Sequence, residues 1–181
     1  MSAWVVMGVS GCGKSEVGAR LAQALGADFI EGDHYHPEAN VRKMSAGIPL
    51  LDADREGWLR QLAGELARAC AAGRSVVLSC SALKRAYRDT LRSAGCAPCF
   101  VHLSGTRDTL AARMAARAGH FMPLSLLDSQ LRDLEALQAD EDGIVLDIEA
   151  PPEALVECVL AHAGKLRPGP VAGRPPAGSA A

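Results

Sequence analysis

Eight consecutive residues, Gly8-Val9-Ser10-Gly11-Cys12-Gly13-Lys14-Ser15, hold the densest chemistry in the chain. They fit G-x-x-x-x-G-K-[ST], a pattern in which the backbone N–H groups of a glycine-rich loop converge on phosphate oxygens. A lysine at this position reaches the β- and γ-phosphates, and the serine hydroxyl after it suits Mg²⁺. Gly8, Ser10, Gly11, Cys12, Gly13, Lys14 and Ser15 are therefore the expected contacts to ATP. Lys14 is the expected catalytic cation and Ser15 the expected metal ligand. An apolar run ends at Ser79-Cys80-Ser81 without the aspartate that many nucleotide hydrolases use for Mg²⁺. The cation then rests on Ser15, phosphate oxygens and water, with Asp33 in its outer shell.

A phosphoryl donor needs an acceptor. Asp33 is of the type to orient an acceptor hydroxyl and take its proton late in transfer; it is equally of the type that caps a helix, and Pro37 follows. His36 is a second candidate for acceptor hydroxyls. Arg55 follows Asp52 and Asp54 at an expected helix start, where an arginine opposes the helix dipole unless it has an anionic partner. That makes it a candidate substrate contact. Lys84 and Arg88 are four residues apart, sharing one helix face, where an anionic ligand would relieve their repulsion; a solvated surface is the alternative. Arg113 and Arg117, also four apart, lead into Gly119-His120-Phe121-Met122-Pro123. This glycine-bearing stretch suits a mobile lid over about 117–124. Arg113 is assigned to the nucleotide, and Arg117, carried in by closure, to charge on the transferring phosphoryl group. His120 is a ligand contact or a structural histidine.

These residues need a frame that gathers them. Strand-like runs occur at 3–7, 28–31, 75–80, 100–103 and 143–148, and helical periodicity at 14–25, 37–44, 55–72, 83–93, 107–116, 124–137 and 153–163. Leu59, Leu62, Leu66 and Ala69 form a core stripe. Alternating strands and helices specify an α/β fold with a five-stranded parallel sheet, flanked by helices and right-handed in its crossovers. In such a sheet ligands bind beyond the carboxyl ends of the strands. The glycine loop, Gly32 to Pro37, Ser81 to Arg88 and Ser104 to Arg107 all follow strands, so the candidate residues meet at one edge.

At 181 residues the chain forms one domain, expected over 1–166, followed by a Pro/Gly/Ala-rich tail over 167–181 that cannot build a core and is expected to be disordered. A net charge of −2 argues against a general affinity for nucleic acid or acidic membrane. No signal-peptide pattern and no membrane-length apolar run is visible, which fits a cytoplasmic enzyme. The six cysteines are scattered, which argues against a disulfide framework. Cys96-Ala97-Pro98-Cys99 runs into a strand rather than opening a helix and lacks a second pair for zinc, so buried or half-buried thiols are expected there.

Several segments, in order, resemble the bacterial-type gluconokinases from Val5 to about Leu160. They are Gly8 to Ser15; Gly32-Asp33 with His36-Pro37 and Asn40; and Lys43-Met44, Gly47, Pro49-Leu50, Asp52, Asp54-Arg55 and Trp58-Leu59. Cys80-Ser81-Ala82-Leu83-Lys84 with Tyr87-Arg88-Asp89 and Leu91-Arg92 is the most distinctive block. Gly119-His120-Phe121, Gln130 and Leu134-Glu135 complete the set. The resemblance implies a P-loop kinase fold related to shikimate and adenylate kinases, and ATP-dependent phosphorylation of D-gluconate at the 6-hydroxyl to 6-phosphogluconate and ADP. It also implies Mg²⁺, a cytoplasmic location and, often, a homodimer. Ala136-Leu137-Gln138 departs from the proline-containing turn expected after Leu-Glu. Read without the resemblance, the residues describe a small-molecule kinase with an anionic or polyhydroxylated acceptor. Phosphorylation of another small hydroxy acid, such as shikimate, is an alternative, as is a nucleotide-binding regulator without turnover.

Overall fold

Ala3–Met7 (β1) is apolar at every position, and such a strand must be covered on both faces. It lies at the centre of a five-stranded sheet whose other members are Asp28–Glu31 (β2), Val76–Ser79 (β3), Cys99–Ser104 (β4) and Gly143–Asp147 (β5). The strands are all parallel, in the order β2-β3-β1-β4-β5, with Val5 opposite Leu78 on one side and Phe100 on the other. The computed structural model describes residues 1–116 and 124–166. The expected lid and the tail beyond 166 fall outside the described residues, apart from Leu124.

Seven α-helices complete the described fold: Lys14–Leu25 (α1), Glu38–Ser45 (α2), Asp52–Ala71 (α3), Arg85–Arg92 (α4), Arg107–Ala115 (α5), Leu127–Asp133 (α6) and Pro152–Leu166 (α7). The period-two alternation of β1 divides the core. Trp4 and Val6 pack with Val17 and Leu21 of α1, Leu110 of α5, Leu127 of α6 and Val159 of α7. Ala3, Val5 and Met7 face the other way, onto Leu59, Leu62 and Leu66 of α3 and Leu91 of α4. A small third cluster joins Met44, Leu50 and Leu126. None of the described helices is long and apolar enough to cross a membrane.

Strand positions match the expected ones to within a residue. Two helices differ. α3 begins at Asp52 rather than Arg55, because the Asp54 carboxylate accepts the Leu51 N–H at 2.9 Å and closes the first turn early. The stretch expected as one helix over 124–137 is a 3-10 turn at Leu124–Leu126, then α6, with an extended residue at Leu134. Tertiary bonds end it: the Glu135 N–H donates to the Leu83 carbonyl (2.9 Å), and the Glu135 carboxylate accepts the Arg85 N–H (2.6 Å). All six cysteines are free, and burial pushes the Cys96 and Cys99 thiols up to about 12, so neither carries a reactive thiolate.

Candidate active site

The glycine loop leaves β1 beside the β3–α4 turn, where the Ser81 carbonyl accepts the Gly8 N–H at 3.2 Å. Gly13 ends the loop in the left-handed region, at φ +94°, which a residue with a Cβ adopts only under strain. No side chain caps α1 at this point. Its first-turn N–H groups and the positive end of its dipole therefore face the space where an anion would sit. Lys14 rests its Nζ on the Val9 carbonyl at 3.1 Å. Ser15 is exposed on the first turn of α1, whereas Cys12 turns its side chain into the core, leaving only its backbone for a phosphate. Beside the loop lies a cavity of about 480 Å³, bordered by Gly11, Gly13, Arg113 and the Glu149–Pro152 connection after β5. Arg113 donates to the Ile148 carbonyl at 2.6 Å and so fixes one wall.

The acceptor side is built on the end of β2. The Glu31 carboxylate accepts from the Ser79 hydroxyl at 2.7 Å and caps the 3-10 turn Gly32–Tyr35 that carries Asp33. Gly32 lies so close to β3 that a Cβ there would overlap the Ser79 carbonyl oxygen. The Trp58 indole N–H donates to the Gly32 carbonyl at 2.8 Å, and His36 stacks on the Trp58 ring with centroids 4.0 Å apart. Burial pulls His36 down to about 4; the Asp33 charge opposes this and the Arg55 charge adds to it. His36 is therefore neutral at pH 7.

Arg55 is 6% exposed. Its Nε has no partner, and among the described residues no carboxylate pairs with it. Its guanidinium carbon lies 5.7 Å from the centre of the Tyr87 ring. The two neighbouring aspartates are committed elsewhere: Asp52 to Lys84 (2.7 Å) and the Tyr87 hydroxyl, Asp54 to Lys43 (2.7 Å). The buried Cys80 thiol is pushed up to about 12 by burial, with Asp33 adding to the shift while Lys14 and Arg55 oppose it. Cys80 thus lies within reach of the charges of Lys14, Asp33 and Arg55.

Of the expected site residues, the fold gathers the glycine loop, Lys14, Ser15, Asp33, His36, Arg55 and Arg113 at the carboxyl edge of the sheet. Lys84 immediately precedes α4, half-buried and paired with Asp52. Arg88 is a correction. It is fully buried, pairs with Glu141 through Nε and Nη2 (2.7 and 2.8 Å), and donates to the carbonyls of Ala82, Leu83, Glu135 and Ala136. With every N–H engaged, it holds the chain together and has none to offer a substrate; nor does it share an exposed face with Lys84. Arg117 and His120 lie outside the described residues. Sequence reasoning missed Glu31, the Glu149–Pro152 wall and the bond from the Ser10 N–H to Gln130 Oε1, 2.7 Å long across 120 residues. The run Glu31-Gly32-Asp33 did carry a signal, a carboxylate one residue before the glycine and two before the candidate.

Residues 4–137 match a family model described as an AAA domain. A gluconokinase of Gluconobacter oxydans is 49% identical over 158 residues, covering 87% of this chain and 89% of the relative. The crystal structure of a gluconokinase from Sinorhizobium meliloti superposes with a TM-score of 0.82 at 48% identity, covering 91% of this chain and 93% of the other. An unliganded sugar kinase from Janibacter gives 0.88 at 48% identity, covering 91% and 95%. With nearly half of the aligned residues shared over most of its length, the chain belongs to the gluconokinase family.

Proposed function

We propose that this protein transfers the γ-phosphoryl group of ATP to the 6-hydroxyl of D-gluconate, releasing ADP and 6-phosphogluconate. The observation that carries the acceptor assignment is Arg55. A buried guanidinium without a counter-ion is costly, and the carboxylate of a sugar acid supplies the missing charge in the bidentate geometry arginine favours. Neutral His36 and the Asp33 side chain stand beside it to meet hydroxyls. ATP lies with its phosphates on the glycine loop and its base toward the Arg113 wall. Asp33 orients the 6-hydroxyl and takes its proton as the new O–P bond forms and the bond from Pγ to the β,γ-bridging oxygen breaks. Lys14, with Arg117 from the lid, balances charge on the transferring group. His120 and Lys84 complete the acceptor surround, Lys84 by orienting Asp52 and Tyr87 near Arg55.

Mg²⁺ fits the donors present. The exposed Ser15 hydroxyl is a hard oxygen at the loop's end, and among the described residues no three His, Cys, Asp or Glu converge on a cage. One such hydroxyl suits a cation whose other ligands are phosphate oxygens and water. When bound, it neutralises phosphate charge. A cytoplasmic location and a homodimer accompany this reading, with no nucleic-acid partner.

A coupled ADP-release assay across D-gluconate, other sugar acids, shikimate and nucleoside monophosphates tests it. Turnover is expected with gluconate above all others. Arg55→Met is expected to raise KM for gluconate at least about 10-fold with KM for ATP little changed, as loss of a charge-assisted contact requires. Preference for another acceptor, or equal loss for both substrates in the variant, refutes the assignment.

A further inference from the structure

The Ser10–Gln130 bond is not explained by phosphate binding. The Ser10 N–H donates, at 2.7 Å, to a side-chain oxygen from α6. Both residues are 8% exposed, so solvent does not compete for the bond. The loop is clamped elsewhere by unlike means: Gly8 by the Ser81 carbonyl, and Gly11 by its close approach to Met114 and the Leu110 carbonyl of α5. Gln130 is thus a side-chain clamp on the loop from a distant helix, one residue on from the Val9 carbonyl that Lys14 holds.

The helix that carries it is placed to matter. Leu127 anchors α6 in the main core, and Leu126, just before it, joins Met44 and Leu50 in the small cluster that holds α2 and the 46–51 loop. Gln130 also borders the same small recess as Arg55, together with Ser129 and Pro49. α6 therefore touches the phosphate loop and the recess of the buried arginine, and the turn before it packs on the acceptor-side helix α2. Residues 117–123 lead directly into the turn before it.

From this we infer that Gln130 is a positioning residue for phosphoryl transfer: by holding the Ser10 peptide it orients the glycine loop for the phosphates and ties that loop to the element bordering the acceptor's cation. The inference rests on the loop's binding nucleotide phosphate; it does not depend on which acceptor is used.

The test compares wild type with Gln130→Met, which keeps volume and removes the acceptor oxygen. The Ser10 amide of the unliganded wild type should be protected from hydrogen exchange. In the variant it should exchange at least about 10-fold faster, with the Gly8 amide unchanged, since one buried hydrogen bond is worth about that factor. ADP should bind about 10-fold more weakly, and KM for ATP should rise more than KM for gluconate. An unprotected Ser10 amide in wild type overturns the inference even where the variant fails to fold. ADP affinity within twofold of wild type overturns it also, as does an equal loss for both substrates with Ser10 exchange unaltered. Absence of gluconate turnover in wild type, with the ADP and exchange effects intact, would refute the acceptor assignment and leave Gln130's role standing.

Discussion

At the residue scale the site is organised by a charge that no carboxylate among the described residues pairs with. Arg55 is buried while its neighbours Asp52 and Asp54 bind other cations. Replacing a buried, uncompensated charge by a hydrocarbon of similar volume removes a desolvation penalty. Arg55→Met should therefore melt at least about 2 °C above wild type while losing gluconate affinity, the trade-off expected where function needs an unstable feature. The same charge acts on His36, which burial already pulls down to about 4. A histidine lowered in the folded state contributes stability above its unfolded value, and that contribution is lost as pH falls from about 6.5 through 4. In an NMR titration the His36 imidazole should have its midpoint near 4 in wild type and a higher one in Arg55→Met. A His36 midpoint near 6.5 in wild type would show that the ring is neither buried nor coupled to the arginine.

At the scale of elements, the 3-10 turn Gly32–Tyr35 decides whether Asp33 faces the loop. It is held from three sides: by the Glu31 cap, the Trp58 hydrogen bond and the contact of Gly32 with β3. Gly32→Ala cannot keep that contact, so the turn must lift off the sheet and take Asp33 with it. The expected result is a fall in kcat of at least about 10-fold with ADP affinity within twofold, because a carboxylate displaced by a fraction of an ångström loses its alignment. An unchanged kcat would remove Asp33 from the reaction. Much of this frame is legible in the sequence. Alternating apolar runs place the strands, and the glycine loop states its own chemistry. Arg55 is legible because it stands against the dipole of its helix. Arg88 misleads because a four-residue spacing to Lys84 says nothing about which way a helix is turned, and only the fold brings Glu141 beneath it. Gln130 and Ser10 are too far apart in sequence for any spacing rule to pair them. The end of α6 is hidden for a similar reason, since the bonds that stop it come from the turn before α4.

For the molecule as a whole, Arg88 joins what the chain order separates. It ties the β3–α4 turn to the 134–141 segment that feeds β5, linking the two wings of the sheet across β1. It also donates to the carbonyl of Ala82, a non-glycine residue held at φ +44° next to the Ser81 carbonyl that steadies the glycine loop. Its place in the distinctive family-like block is thus accounted for without substrate contact. The Arg88 guanidinium holds the Glu141 carboxyl down to about 2, helped by the Gln138 N–H and Arg92 and opposed by burial. A carboxylate depressed in this way contributes stability above about pH 4.5, and that contribution is lost as pH falls toward 2. Removing one partner of a buried pair costs about 3–5 kcal/mol, so Arg88→Met should lower stability by about that amount in urea unfolding at pH 7. Glu141→Gln should also be destabilised at pH 7, but with a shallower loss of Tm between pH 4.5 and 2 than wild type, because its side chain has no proton to gain. Parallel Tm–pH curves for Glu141→Gln and wild type would show that the acid sensitivity resides in other carboxylates and that this clamp does not hold the wings together through its charge.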